Sequence, residues 1–138
     1  MSGYSGTPLA KKLGIKAGAE VGVFAGPDDL SERLEPLPAG ATVVQQPQHA
    51  CDVLIVFAED LSALQSGFRR AVGLLPRDGG LWLAWPKRRS GIATDLDFEA
   101  VQRVGLNSGL VDNKVCAIDE TWSGLRFVVR TENRAAWT

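Results

Sequence analysis

The sequence predicts a three-layer α/β domain with a mostly parallel sheet and an antiparallel hairpin at its carboxyl end. Short apolar runs alternate along the chain with segments of helical spacing, an order that forms parallel sheets covered by helices on both faces. The run Asp52–Ala58 is apolar almost throughout, as expected of a strand buried on both faces. Two strand-like runs, Lys114–Ile118 and Leu125–Arg130, then follow one another with no helix between them.

The first half of the chain predicts two short helices and three strands. A helix over Thr7–Gly14 has proline near its start and glycine at its end, where each residue type is favoured. Glu20–Ala25 is an apolar run bounded by glycines and predicts the first strand. An aspartate caps a brief helix over Asp28–Leu34, and the prolines that follow stop it. Ala41–Gln45 and Asp52–Ala58 are the second and third strands.

The second half predicts two longer helices and the remaining strands. Apolar residues recur at helical spacing over Asp60–Leu75. Pro76–Gly80 is then a turn, and Leu81–Trp85 is another buried strand. A helix capped by Asp95 or Asp97 follows, and the glycine after residue 108 is placed to end it.

The last two strands are joined by Asp119–Gly124, which predicts an antiparallel hairpin. Asp112-Asn113-Lys114 comes just before the first of these strands and predicts a turn into it. Cys51 and Cys116 lie in or beside apolar runs that are distant in sequence. Two buried thiols are therefore expected rather than a disulfide.

Bulk composition describes one soluble domain over residues 1–138. The hydrophobic fraction of 45% and the charged fraction of 22% are ordinary for a globular protein. A formal net charge of -1 disfavours a nucleic-acid partner, which usually requires a basic surface. No apolar run approaches the ~20 residues that span a bilayer, and the amino terminus has no secretion signal. We therefore predict a cytoplasmic protein with no membrane partner.

The order of elements resembles the second half of Rossmann-like methyltransferases. The resemblance rests on a strand, a helix, the turn Leu75-Pro76-Arg77-Asp78-Gly79-Gly80, a further strand and helix, and a terminal hairpin; in element order it covers Gly14–Arg130. In that family the turn after the first strand carries several glycines that let the backbone approach the cofactor. An acidic residue at the end of the second strand binds a ribose.

Both cofactor features depart from the family pattern in this sequence. The turn Phe24–Asp29 has a single glycine followed by proline, and the second strand ends in Val44-Gln45-Gln46 without an acid. The sequence therefore predicts a reduced methyltransferase-like fold with no cofactor. Adenosylmethionine-dependent methyl transfer is disfavoured.

A second resemblance covers nearly the whole chain. Its motifs are Gly3–Leu9, Trp85-Pro86-Lys87, Ser90-Gly91, Thr94-Asp95-Leu96 and Gly109–Leu125. Together they are similar to a family of small bacterial proteins described as a domain of unknown function. That resemblance implies no activity.

The predicted topology brings four segments to the carboxyl edge of the sheet, where open α/β sheets bind ligands. They are Gly26–Asp29, Glu59–Asp60, the cationic Pro86–Asp95 and the acidic, aromatic Asp119–Ser123. The sequence predicts a small anionic ligand or a protein partner at this edge. The candidate ligand-binding residues are Lys87, Arg88, Thr94, Asp95, Glu120 and Trp122.

Several alternatives stand beside this interpretation. Lys87 pairs with Asp95 or Glu120 and merely closes the loops, or these three side chains act in an enzyme as acid, base or anion clamp. Trp122 stacks on a ligand or covers the sheet edge. With one histidine, His49, and two distant cysteines, a zinc set of three or four ligands is hard to assemble, so no metal site is predicted.

Overall fold

The computed structural model describes residues 7–137, which form four α-helices and six strands. The strands are β1 (Glu20–Phe24), β2 (Thr42–Gln45), β3 (Val53–Phe57), β4 (Gly80–Pro86), β5 (Leu110–Ala117) and β6 (Trp122–Val129). The helices are α1 (Leu9–Lys12), α2 (Leu30–Arg33), α3 (Leu61–Val72) and α4 (Phe98–Leu106). None of the helices in this part of the chain is long and apolar enough to cross a membrane.

All six strands belong to one sheet, in the order β2-β1-β3-β4-β6-β5. The pairs β1–β2, β1–β3 and β3–β4 are parallel, whereas β6 lies antiparallel between β4 and β5. The register of β4 and β6 sets Trp82 opposite Arg126 and Pro86 opposite Trp122. The predicted fold class is confirmed: a mostly parallel, Rossmann-like sheet between helices, with an antiparallel hairpin at its carboxyl end.

Each face of the sheet carries its own apolar core. On one face α3 and α4 contribute Leu64, Phe68 and Val101, which are at most 4% exposed. On the other face α1 and α2 are attached through Leu13 and Leu30, each 1% exposed. Burying such a side chain completely stabilises the fold by about 1.5–3 kcal/mol relative to leaving it in water. This packing fixes the positions from which the loops reach the carboxyl edge.

Both strands of the hairpin begin earlier in the chain than predicted. β5 begins at Leu110, so Asp112-Asn113-Lys114 lies inside the strand and the prediction of a turn there is wrong. A register shift between Asp112 and Lys114 accommodates one extra residue on β5. β5 tolerates the polar side chains because it is an edge strand, which pairs with a neighbouring strand on one side only. β6 begins at Trp122, which shortens the predicted loop Asp119–Gly124.

Candidate functional site

An open cleft lies beyond the carboxyl end of β4, at the start of the segment that leads to α4. Its volume is about 1040 Å³, and its walls are Trp85–Arg89, Ile92–Phe98 and Ser123 on β6. Because parallel strands end at one edge, the cleft lies at the carboxyl edge of the sheet, where open α/β sheets bind their ligands.

Local hydrogen bonds shape the loop that forms most of the cleft. The backbone N–H of Lys87 donates to the carbonyl of Thr121 at 2.7 Å, which extends the pairing of β4 and β6 by one step. The hydroxyl groups of Ser90 and Thr94 each accept from the backbone N–H two residues further on, at 3.2 and 3.0 Å. Such serine and threonine turns replace regular secondary structure with a defined loop.

Three successive cations lie on one wall of the cleft. Lys87 is half-buried, and Arg88 and Arg89 are exposed. Within residues 7–137, no salt bridge or side-chain hydrogen bond involves any of them. The alternative in which Lys87 pairs with Asp95 or Glu120 is not observed, and the positive charge of this wall is not neutralised by a contact within the described chain.

The two carboxylates in the same loop are engaged elsewhere. Asp95 Oδ1 accepts a hydrogen bond from the backbone N–H of Leu61, the first residue of α3, at 2.8 Å. Asp97 Oδ1 accepts from the N–H of Ala100 at 2.9 Å and caps α4. Exposed N–H groups at a helix start attract carboxylates, so both acids face helix ends rather than the cations.

An aromatic pair completes the cleft. Trp85 is the penultimate residue of β4 and is 7% exposed, while Phe98 is the first residue of α4 and is 40% exposed. Their ring centroids are 6.5 Å apart and their planes cross at 70°. An exposed ring edge beside positive charge suits a ligand with both an apolar body and an anionic group.

Four of the six candidate residues line the cleft: Lys87, Arg88, Thr94 and Asp95. Glu120 and Trp122 do not. Trp122 is 9% exposed and packs edge-on against Phe57, with ring centroids 5.1 Å apart, in the core of the opposite face.

Strand alternation explains the position of Trp122. Because β6 already begins there, Trp122 and Ser123 point to opposite faces, and Ser123 is the residue that reaches the cleft. Asp119 orders the hairpin turn before it, since Asp119 Oδ1 accepts from the N–H groups of Thr121 and Trp122, both at 2.8 Å. Glu120 lies exposed in the same turn.

The turn after β1 is closed by the protein itself. A Cβ at Gly26 would lie 2.6 Å from a methyl group of Val23 and 3.3 Å from Leu30, so this glycine packs inwards. The guanidinium of Arg70 lies 5.0 Å over the ring of Phe24 and donates to Gln46 Oε1 at 2.7 Å. Side chains of the chain thus cover the ends of β1 and β2.

Comparison with known proteins finds similarity at the level of fold. No family model matches the sequence, and no curated protein matches it. A ribosomal protein L11 methylase from Lactobacillus delbrueckii subsp. bulgaricus has a TM-score of 0.62 and 10% identity, over 88% of this chain and 75% of that one. Magnesium protoporphyrin IX methyltransferase from Synechocystis PCC 6803 gives 0.58 and 9%, over 88% and 78%.

A third similar structure is an O-methyltransferase from neocarzinostatin biosynthesis, in complex with S-adenosylmethionine. Its TM-score is 0.60 at 14% identity, over 81% of this chain and 49% of that one. The chain therefore spans about half the length of this enzyme. At such low identities these similarities define a methyltransferase-like α/β fold and nothing further.

Proposed function

We propose that this chain is a non-catalytic, methyltransferase-like binding domain that holds a small anionic ligand in the cleft beyond β4. The observation that carries the proposal is a difference in pairing there: the carboxylates accept hydrogen bonds, whereas within residues 7–137 no salt bridge or side-chain hydrogen bond involves the cations. Asp95 and Asp97 are bound to helix starts, so the wall of Lys87, Arg88 and Arg89 remains available for an anion.

The chemistry of the walls narrows the ligand class. Lysine and arginine bind carboxylates and phosphates through charge-assisted hydrogen bonds, arginine with two parallel donors. Trp85 and Phe98 add apolar surface beside them. The ligand we infer carries one or two anionic groups on an apolar or aromatic body. A protein partner that presents an acidic side chain beside an aromatic one is the alternative.

The enzymatic alternative gains little support from the geometry. It requires Lys87, Asp95 and Glu120 to converge on one cavity, within hydrogen-bonding reach of a substrate. Glu120 is outside the cleft, and Asp95 already accepts the N–H of Leu61. No general acid–base pair is therefore assigned.

The residues at the end of β1 disfavour adenosylmethionine as the ligand. Gly26 is the one glycine of the turn and its Cβ position faces Val23 and Leu30, and β2 ends in Gln45, which is not an acid. The neocarzinostatin enzyme was crystallised with S-adenosylmethionine, but its identity to this chain is 14%. We expect no binding of adenosylmethionine in calorimetry, whereas micromolar binding would restore the methyltransferase hypothesis.

The ligand proposal is tested with a panel of dicarboxylates, aromatic carboxylates, phosphate esters and nucleotides. Thermal shift finds the compounds that stabilise the fold, and titration calorimetry measures their affinity. K87A should weaken binding of the best compound by roughly ten- to a hundredfold, as expected for a lost charge-assisted hydrogen bond. K16A removes one exposed charge outside the cleft and should leave the affinity unchanged. Absence of any binder, or equal affinities for K87A and K16A, would overturn the proposal.

We also propose that the chain belongs with the small bacterial proteins that it resembles, and that it acts in the cytoplasm. Two of the motifs that carry that resemblance, Trp85-Pro86-Lys87 and Thr94-Asp95-Leu96, form walls of the cleft. This coincidence supports a shared binding site. The motif Gly3–Leu9 begins outside the described residues.

A further inference from the structure

A separate group of chemistry-bearing side chains lies at the opposite, amino edge of the sheet. Glu20 is the first residue of β1, and His49 and Cys51 lie in the connection that leads to β3. One ligand atom from each side chain lies within 4.8 Å of the other two. His49 Nε2 is 2.9 Å from a carboxylate oxygen of Glu20.

The local fold holds this group together. A Cβ at Gly22 would lie 3.0 Å from Cys51 Sγ, so the glycine on β1 leaves the space that the thiol occupies. The thiol donates to the backbone carbonyl of His49 at 3.5 Å, which folds the loop onto itself. Asp52 Oδ2 accepts from the backbone N–H of Glu20 at 2.9 Å. The loop and the start of β1 are therefore fixed to each other.

We propose that Glu20, His49 and Cys51 bind one zinc ion, or a divalent transition metal of similar preference, through an oxygen, a nitrogen and a sulfur atom. Carboxylate, imidazole and thiolate are the ligands that zinc takes in proteins. In a tetrahedral site such atoms are separated by roughly 3.3–3.8 Å, given metal–ligand bonds of about 2.0–2.3 Å. The nitrogen and oxygen atoms are 2.9 Å apart and all three atoms lie within 4.8 Å of one another, so small side-chain movements give that spacing, and water would complete the coordination.

The charge around the group favours a cation. Glu20 and Asp52 each place a carboxylate at this edge, that of Asp52 on the backbone N–H of Glu20, and within residues 7–137 neither carboxylate is paired with a lysine or an arginine. The contact between His49 and Glu20 uses two of the three ligand atoms, whereas a metal ion would engage the thiol sulfur of Cys51 as well. Sequence spacing did not reveal the group, because Glu20 precedes the loop by the whole of β1, α2 and β2.

The proposal is tested by titrating the metal-free protein with Co²⁺ and then displacing the cobalt with Zn²⁺. We expect the near-ultraviolet charge-transfer absorption of a cobalt–thiolate bond, with visible bands of a tetrahedral ion. C51S should abolish the charge-transfer absorption. C116S is the matched control and should retain it, because Cys116 lies on β5 outside the group. Absence of the absorption in the natural protein, or its persistence in C51S, would refute the site.

If C51S does not fold, a second pair of variants, H49A and E20Q, still tests the site. The His49 side chain is 55% exposed and that of Glu20 is 36% exposed, so H49A and E20Q should preserve the fold. Zinc affinity, measured by competition with a chromophoric chelator, should fall at least about tenfold in each variant. Removing even a residue that only hydrogen-bonds to a metal ligand lowers metal affinity by about that factor. Unchanged affinity in both variants would mean that zinc binds elsewhere.

Discussion

The indole N–H of Trp82 donates a hydrogen bond of 3.0 Å to the backbone carbonyl of Leu13. Trp82 is fully buried in β4, and Leu13 is the C-cap residue that follows α1. A buried polar group without a partner costs roughly 1–3 kcal/mol, so this bond matters more than its net strength suggests. It connects the first helix of the described chain to the sheet.

Replacing Trp82 with phenylalanine should cost more than the lost apolar contact. W82F leaves the carbonyl of Leu13 unpaired, and we expect the free energy of unfolding to fall by about 2–4 kcal/mol in urea denaturation. W85F is the matched variant: it makes the same change in volume, but the indole of Trp85 makes no hydrogen bond within residues 7–137. A loss for W85F as large as that for W82F would contradict the role of the hydrogen bond.

The hydrogen bonds at the start of α3 predict that Asp95 stabilises the fold, and this role can be tested separately from any role in ligand binding. Asp60 Oδ1 accepts from the N–H of Ala63 and Asp95 Oδ1 from the N–H of Leu61, both at 2.8 Å. D95A should lower the free energy of unfolding by about 0.5–2 kcal/mol, as for other lost caps. D95N keeps an acceptor and should lose less.

The affinity of the D95N variant for an anionic ligand tests whether Asp95 contacts that ligand. Because Asp95 places a negative charge in the cleft wall, D95N should bind an anionic ligand as well as the natural protein does, or more tightly. D28A removes an exposed carboxylate outside the cleft and serves as the control for both measurements. A large loss of binding in D95N alone would instead assign Asp95 a direct role with the ligand.

The sequence predicted the fold well where local patterns are strong. The apolar run of β3 and the helical spacing of α3 left little ambiguity, and both are observed within three residues of the predicted limits. β5 was harder, because an edge strand exposes polar residues and its bulge near Asn113 breaks the alternation that marks a strand. Its start at Leu110 became visible only through pairing with β6.

The candidate site was predictable in position but not in detail. Topology alone brought Lys87 and Asp95 to the carboxyl edge. The side of the sheet taken by Trp122 depends on where β6 begins, and a shift of one residue reverses it. Phe98 was missed because its role follows from the capping of α4 by Asp97, which sets the first helical residue beside Trp85.

Because α4 packs closely on β6, adding a single methyl group at Gly105 should strongly lower the stability of the fold. A Cβ at Gly105 would overlap the ring of Phe127, which is fully buried. G105A should therefore lower the free energy of unfolding by about 1–3 kcal/mol, although alanine favours helix over glycine by about 1 kcal/mol. At Gly73 a Cβ meets nothing within 4 Å, so G73A should be neutral or stabilising in the same denaturation experiment. Equal behaviour of the two variants would contradict the packing.

The pH dependence of stability should report the environment of Cys51. Burial, followed by the charges of Glu20 and Asp52, raises the pKa of its thiol from 9.0 to about 11. The folded state then holds this proton more tightly than the unfolded chain does. Its contribution to stability is therefore fully present below pH 9 and is lost as the pH rises through 11. Two pKa units correspond to about 3 kcal/mol.

Comparison with C51A isolates this contribution, because every other titrating group is common to both proteins. The natural protein should be the more stable of the two at pH 8, since alanine leaves a small cavity. With a chelator present to exclude metal, its advantage should shrink by about 2–3 kcal/mol between pH 9 and pH 11. Urea denaturation at a series of pH values measures the difference. Parallel stability curves for the two proteins over this range would mean that the thiol ionises as easily in the folded state as in the unfolded chain.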